Sequence, residues 1–482
     1  MGKLATATVV AFVLCCTTGV RAQLVGEVQE IPLALETPMN AKYYGPFCAG
    51  ERAYAVIRMK MTAKERSDLG IVYPLDGSGP PIMQELHLPH VKNHNSFNVF
   101  FVFQGKPCVI FDRWDKETAV VTLFLQRYSS ATFEPEGAAQ EIGVLRFNER
   151  SYLGTDVELK VEHAPDGQKL LIYYDALSIE RQQGVVCWVL DKDFAPVWQN
   201  AFKMPVLAHN TRSKVRFTNT GDVYVAIYGA AITDDLIKQE EGDSGKVMVL
   251  AASLTRPRFT GAHMRGDLFE VWNGNLQPGV AIIDGTIERT HTGTYIAGVA
   301  SEGDGKDALK WVLVRMDDTF SNPEVIAQGP LGEGKSMGSV ASLAAPDGSL
   351  HFYLSGGGRK VIAEFDANAR MKWSTASDVG ISPDLFVHKG VIHGGMDLSA
   401  EDVDNLRAGR SMKETFDRRP HLISWDNEGV ATYSTLIPFT RRIKKGSYYD
   451  LLRSSYSNIP ACGSYVFWDN EHRPSLYRVK LD

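Results

Sequence analysis

Apolar residues in this chain come in short runs of strand length, cut at close intervals by turn residues. SFNVFFVF (96–103) leads through Gly105 into CVIFD (108–112), and AVVTLFLQRY (119–128) follows. KLLIYYDAL (169–177), GVVCWVLD (184–191), DVYVAIYGA (222–230), GTYIAGVA (293–300), LKWVLVRMD (309–317), SLHFYLSG (349–356), KVIAEFD (360–366), HLISWD (421–426), SYVFWD (464–469) and LYRVKLD (476–482) continue the pattern. Most begin just after Gly, Asp-Gly or Asn-Thr-Gly. β-Branched and aromatic runs bounded in this way predict antiparallel strands and hairpins. AYAVIRMKM (53–61) alternates as a half-buried strand does. Helix signals are few. Thr62-Ala63-Lys64-Glu65 is a capping box that predicts a short helix stopped at Gly70, and 398–420 predicts a helix capped at Ser399.

One hairpin shape recurs. In VLDKDFAPVW an apolar run ends at Asp191 and Trp198 opens the next strand. Asp366 precedes Trp373, and Asp426 precedes Tyr433, at the same spacing. Looser copies pair Asp317 with Glu324 and Ala252 with Phe259. Asp bonds its own backbone at a turn, and a large ring in the following strand can wedge between neighbouring sheets. These residues therefore read as structural. Hairpin-closing positions at 112, 191, 252, 317, 366, 426 and 482 lie on average about 60 apart, the spacing of a four-stranded unit with insertions. The expected fold is all-β: a single β-propeller of seven blades, with six or eight also compatible. Loop insertions are expected near 62–95, 232–245 and 398–420, the last two on one rim. The final unit lacks a fourth strand at Asp482. The segment before residue 60 is available to complete it, closing the ring by pairing N- and C-terminal strands.

The sequence has 482 residues and a formal net charge of −6. That balance argues against nucleic acid as a partner. Arg441 to Lys445 reads as a solvated strand end. Residues 1–22 read as a signal peptide: Lys3, an apolar run, and a Val20-Arg21-Ala22 cleavage site, so a secreted or periplasmic protein is expected with no membrane span. A lipoprotein reading on Cys15 or Cys16 is poorer. Cys48, Cys108, Cys187 and Cys462 would remain after cleavage, an even number that allows disulfides in three pairings or buried free thiols.

At its hairpin residues the chain resembles the broad β-propeller superfamily. VLDKDFAPVW and FDANARMKW are similar to the blade motif of quinoprotein-type propellers, but lack its Thr-Gly and are one residue short. HAPDGQKLLIYYDAL (163–177) with VCWVLDKDFAPVWQNAFKMP (186–205) more closely resembles secreted Bacteroidetes propeller proteins of unknown function. The resemblance covers roughly 95–482 and implies a fold without any catalytic residue. The end at Asp482 leaves no room for an appended C-terminal sorting domain.

Candidate chemistry is sparse. Gly329 to Ser336 matches the Walker A pattern, and Gly334 to Gly338 the nucleophile elbow G-x-S-x-G, but neither is followed by a helix pattern. His87, His90 and His94 are close in sequence, with Pro89 between them. EGDGKD (302–307) and EEGDSG (240–245) are acidic loops without calcium-loop spacing. No catalytic, cofactor-binding or metal residue is assigned, and no cofactor is expected. The expected role is a binding or scaffold module for a protein or carbohydrate ligand. The alternative is an extracellular hydrolase or lyase with its site at the channel, which would require carboxylates or histidines converging there with perturbed pKa values.

Overall fold

The computed structural model describes residues 25–31, 42–49, 52–60, 68–74, 82–86, 99–146, 159–230, 257–302, 308–376, 385–410, 417–435, 441–442, 455–456, 464–469 and 475–481, apart from 116, 119, 180–181, 208–211, 318, 334–336 and 389–390. The predicted leader, the His87–His94 cluster, the 232–245 insertion and all but Glu302 of the acidic loops lie outside them.

Strand β1 (Val25–Ile31) joins the last sheet. The other strands form sheets in chain order. Sheet 1 is β2 (Lys42–Ala49), β3 (Arg52–Lys60), β4 (Asp68–Pro74) and β5 (Ile82–Leu86). Sheet 2 is β6 (Val99–Phe103), β7 (Lys106–Asp115), β8 (Val120–Arg127) and β9 (Gln140–Arg146). Sheet 3 is β10 (Lys160–His163), β11 (Lys169–Ile179), β12 (Gln182–Asp191) and β13 (Pro196–Leu207). Sheet 4 is β14 (Arg212–Phe217), β15 (Val223–Ala230), β16 (Pro257–Arg265) and β17 (Leu268–Trp272). Sheet 5 adds a short β18 (Asn275–Gln277) to β19 (Val280–Thr290), β20 (Gly293–Glu302), β21 (Ala308–Met316) and β22 (Pro323–Glu333). Sheet 6 is β23 (Met337–Ala344), β24 (Leu350–Gly356), β25 (Arg359–Phe365) and β26 (Met371–Ala376). Sheet 7 is β27 (Leu385–His388), β28 (Val391–Leu398), β29 (Asp417–Trp425) and β30 (Ala431–Thr435), with β31 (Arg441–Arg442) on β29. Sheet 8 is β32 (Ser455–Tyr456), β33 (Ser464–Asp469), β34 (Ser475–Leu481) and then β1, which pairs antiparallel with β34, Ile31 opposite Leu476.

This is the sheet plan of a β-propeller. The leading strands β2, β6, β10, β14, β19, β23 and β27 lie each against the next. The core is split into layers between neighbouring sheets. Leu170, Ile172 and Tyr174 face sheet 2, packing with Ile110, Leu123 and Ile142, while Leu171 and Tyr173 face sheet 4, packing with Val215, Val225 and Met264. Alternate side chains of one strand thus feed two cores, which is why second and third strands read as nearly unbroken apolar runs.

In every such meander the first and third hairpins share one end of the sheet, here the turn end, and the second connection lies at the other, the connection end. The turn ends meet. Asp166 N–H donates to Asn219 Oδ1 at 2.9 Å and Lys169 Nζ to the Asn219 carbonyl at 2.6 Å, joining sheets 3 and 4. Thr292 Oγ1 donates to the Ala367 carbonyl at 3.0 Å, joining sheets 5 and 6. The repeated aspartates build the third hairpins as expected. Asp191, Asp366 and Asp426 each accept through Oδ1 from the N–H groups two and four residues on, at 2.8–3.1 Å. The residue three places on is left-handed each time: Phe194 (φ 65°), Ala369 (φ 59°) and Gly429 (φ 77°). That combines a turn with one αL residue before the next strand. Asp317 makes the same turn, with Phe320 at φ 54°. The rings dock as predicted: Trp198 Nε1 donates to the Gly221 carbonyl of sheet 4 at 3.0 Å, and Trp373 leaves no room for a Cβ on Gly429 of sheet 7.

Three expectations change. Among the described residues eight sheets are seen where seven hairpin-closing positions were counted, and the position at Asp112 lies inside β7, opposite Leu123 of β8, not at a hairpin. The extra one is sheet 1, whose β4 and β5 fall inside 62–95, expected to be an insertion. Gly70 lies in β4, not at a helix end, and 61–67 are outside the described residues. Phe259 lies in the third strand of its sheet, and the third hairpin there is Gly266–Asp267. Cys108 and Cys187 are free, buried thiols in two different core layers, and burial pushes Cys108 up to about 12. The side chains of Cys48 and Cys462 lie outside the described residues. The expected helix forms as α1 (Ala400–Arg407), with Ser399 Oγ accepting from Asp402 N–H at 2.9 Å and Asp402 Oδ2 from Ser399 N–H at 3.0 Å. It lies in a second connection, β28 to β29, as 231–256 does in β15 to β16. Among the described residues no helix is long and apolar enough to cross a membrane.

Candidate functional site

The leading strands carry the polar side chains. KVEH in β10, RSKVRF in β14, VAIIDGTIERT in β19 and MGSVASLA in β23 set charged and hydroxyl residues between apolar ones. A leading strand has one long neighbour in its own sheet, and β19 alone among those of sheets 3 to 6 also pairs with a short strand, β18, at Val280 and Ala281. Each leading strand lies against the next, so polar side chains of neighbouring sheets meet there. Two levels result.

Near the turn end, Arg216 Nε donates to Glu288 Oε2 at 2.8 Å and Nη2 to Oε1 at 2.6 Å, a bidentate pair between β14 and β19. Ser342 Oγ of β23 donates to Glu288 Oε1 and bonds Thr286 Oγ1 at 2.9 Å. The Arg216 Nη2 also reaches the Ser342 carbonyl at 3.4 Å. One carboxylate, 5% exposed, thereby links three sheets. Burial pulls the Arg216 guanidinium down, and the Glu288 carboxylate more than offsets this and holds it above its ordinary value. Glu162 of β10 lies beside this pair. Burial pushes its carboxyl up, against the charges of Arg216, Lys160 and Lys214.

Nearer the connection end the arrangement is looser. Lys160 Nζ bonds Asp175 Oδ2 at 2.8 Å, and Ser213 Oγ donates to the same oxygen. Asp284 of β19 is 8% exposed, at a bulge in the β19–β20 register. Burial pushes its carboxyl up to about 6, opposed by the Gly285 N–H and the charge of Arg212. Tyr228, opposite Arg212 in the β14–β15 register, is pushed up to about 12 by burial and by Asp284. A carboxyl that titrates about one pH unit below neutrality, a phenol and an exposed guanidinium thus share one place.

A second buried cluster reads as structure. His263 bonds Asp222 Oδ1 through Nε2 and Glu270 Oε2 through Nδ1, both at 2.9 Å, and stacks on Tyr224. Both ring nitrogens are thus occupied. Burial pulls His263 down, but the two carboxylates outweigh it and raise it. Among the described residues no three His, Cys, Asp or Glu side chains converge as metal ligands do.

The sequence motifs do not meet here. Gly329 to Glu333 lie on β22, antiparallel to β21, with β23 following, so the strand–loop–helix of a phosphate cradle is missing. Gly338 lies in β23, so the elbow motif is not a strand-to-helix turn either. Arg216, Glu288, Glu162 and Asp284 were not singled out from sequence. The available signal was Asp284 and Glu288, four apart in a strand-length stretch that opens on the apolar Val280 to Ile283.

No family model matches the chain, and no curated protein sequence does. Solved structures are similar at low identity. The β-propeller domain of the trilobed protease from Pyrococcus furiosus aligns over 83% of this chain and 98% of its own, with 13% identity and a TM-score of 0.38. The acylaminoacyl peptidase of Pyrococcus horikoshii aligns over 84% of this chain and 54% of its own, with 12% identity and a TM-score of 0.37. Polysaccharide lyase Uly1 aligns over 83% of this chain and 92% of its own, with 11% identity and a TM-score of 0.40. These likenesses place no chemistry on the chain. Its own sheet plan makes it a β-propeller protein.

Proposed function

We propose that this chain is an exported β-propeller binding module that holds a hydroxyl-rich ligand, a carbohydrate, at the connection end of its leading strands. The eight sheets are read as eight blades of one closed ring, and the β1–β34 pairing supports that reading. Export rests on residues 1–22. The observation that carries the site is Asp284: a buried carboxyl held at about 6 beside Arg212 and Tyr228. Such a group donates as an acid and accepts as a carboxylate, and sugar hydroxyls require both. Neighbouring Ser213, Lys160 and Asp175 extend the same polar surface.

A hydrolase or lyase reading is favoured by Glu162, whose carboxyl is raised beside Glu288. Against it, both Glu288 oxygens are taken by Arg216 and Ser342, so Glu288 is not available as a base or nucleophile. The test is calorimetric titration of the full chain with neutral oligosaccharides, alongside Asp284→Asn and Arg212→Gln. Each substitution should weaken binding about tenfold, the effect of one hydrogen bond to a charged group. Equal affinity in both variants would remove the site. Shortening of the sugars, or new unsaturated ends, would move the molecule to the enzyme class.

A further inference from the structure

A groove of about 680 Å³ opens between sheets 5 and 6, away from the leading strands. Its floor is Gly329, Pro330 and Gly332 of β22 with Leu309 of β21, and its walls carry Lys310 and Arg359. It lies at the connection end, since Lys310 opens the third strand of sheet 5 and Arg359 follows the tight Gly357–Gly358 hairpin joining the second and third strands of sheet 6. Gly332 must be glycine. Its φ is +134°, and a Cβ there would sit 2.5 Å from the Gly357 carbonyl oxygen.

We propose that this groove binds an anionic sugar unit, bearing a carboxylate or a sulfate ester, of an acidic polysaccharide. The inference rests on the carbohydrate-binding reading above and names the ligand class. Three observations carry it. Two cations flank the groove, and no Asp or Glu is among the described residues that line it. The exposed Pro330 ring gives the floor an apolar surface, which suits the C–H face of a sugar ring. An acidic peptide fits less well. β22 is the terminal strand of its sheet, but Pro330 removes an N–H from the edge and Gly332 leaves the extended conformation, so an added strand would lose its ladder at the groove.

The test is titration of the full chain with oligogalacturonate, a sulfated galactan oligomer, a neutral galactan oligomer and polyglutamate. Oligogalacturonate or the sulfated oligomer should bind more tightly than the neutral one, with affinity that falls as salt rises. Which of the two binds better decides between carboxylate and sulfate. Arg359→Glu and Lys310→Glu should each weaken anionic binding about tenfold or more while leaving neutral binding nearly unchanged. Arg359 is exposed, so its variant should keep the melting temperature, and Arg359→Gln gives a milder check. The inference is overturned if no anionic oligomer binds, if both charge reversals bind it unchanged, or if polyglutamate binds as tightly with the same losses. Anionic binding that is lost in Asp284→Asn but unchanged in Arg359→Glu and Lys310→Glu would sink this groove and spare the Asp284 site. Anionic binding lost in the groove variants, with both anionic and neutral binding untouched by Asp284→Asn, would sink the Asp284 site and spare the groove.

Discussion

Asp222 and Asp284 lie in neighbouring sheets, at opposite levels, and they are held in opposite ways. Burial pushes the Asp222 carboxyl up, but His263, Thr220 and Arg265 outweigh it and hold it at about 2. Burial pushes Asp284 up too, and there little outweighs it, so it rests at about 6. Asp222 is at the turn end, where hairpins of one sheet bond those of the next. Asp284 is toward the connection end, where long segments enter and leave. The same residue type is a fixed charge where the chain ties itself together and a titrating group where it does not. A site that must exchange partners belongs at the second place, because a carboxylate saturated by its own protein has nothing left to offer a ligand.

The sharpest way to break this comparison is at Arg216. Arg216→Met leaves Glu288 buried without its guanidinium, and the chain should lose about 3 kcal/mol, seen as a large fall in the urea midpoint. The double variant Arg216→Met with Glu288→Met should recover much of it. If the single variant melts like the parent, the turn-end level is not locked and the contrast fails.

A smaller effect should appear with pH. Asp284 has a folded pKa above its unfolded one, so its contribution to stability is full below about 3.8 and is lost as pH rises to about 6. Burial of Asp284 should make the chain about 2 kcal/mol less stable at pH 7 than at pH 4, other groups aside. Asp284→Asn should flatten the stability profile in that window. Asp222 works the other way: its contribution is present above about 3.8 and lost as pH falls toward about 2. His263, raised, stabilises below about 6.5 and loses that contribution as pH rises above it. A profile of Asp284→Asn that matches the parent between pH 4 and pH 6 would show that Asp284 is not held apart from its neighbours.

The mildest change is at the repeated turns. Asp366→Ala removes two hydrogen bonds to exposed backbone and should cost about 1 kcal/mol, with Asp426→Ala adding independently. A loss of several kcal/mol from one turn would mean that the turns act as a single connected rim.

How much of this was readable in advance follows from where each strand sits. KLLIYYDAL and GVVCWVLD were legible because both their faces are buried between sheets. The Asp191, Asp366 and Asp426 turns were legible because Asp and the aromatic seven residues on are each required by local geometry. The leading strands were mostly not. KVEH, RSKVRF and VAIIDGTIERT carry charged residues between apolar ones, so no long apolar run marks them. Those strands hold the candidate site. Sheet 1 is legible only in AYAVIRMKM: the capping box at Thr62 to Glu65 predicts a helix stopped at Gly70, and Gly70 lies in β4.

The pairing of β1 with β34 has a consequence for assembly in time. The partner of β1 is synthesised after every other described strand. Until then β1 carries an unused row of backbone donors and acceptors, and β33 and β34 complete their sheet only when the two ends meet. Bringing them together costs entropy that grows slowly with chain length, so the equilibrium state is barely affected, but the step comes late and is slow. In that interval the chain carries an open strand edge that another copy can occupy, so the exposure to mispairing between chains grows with the time β1 waits for β34.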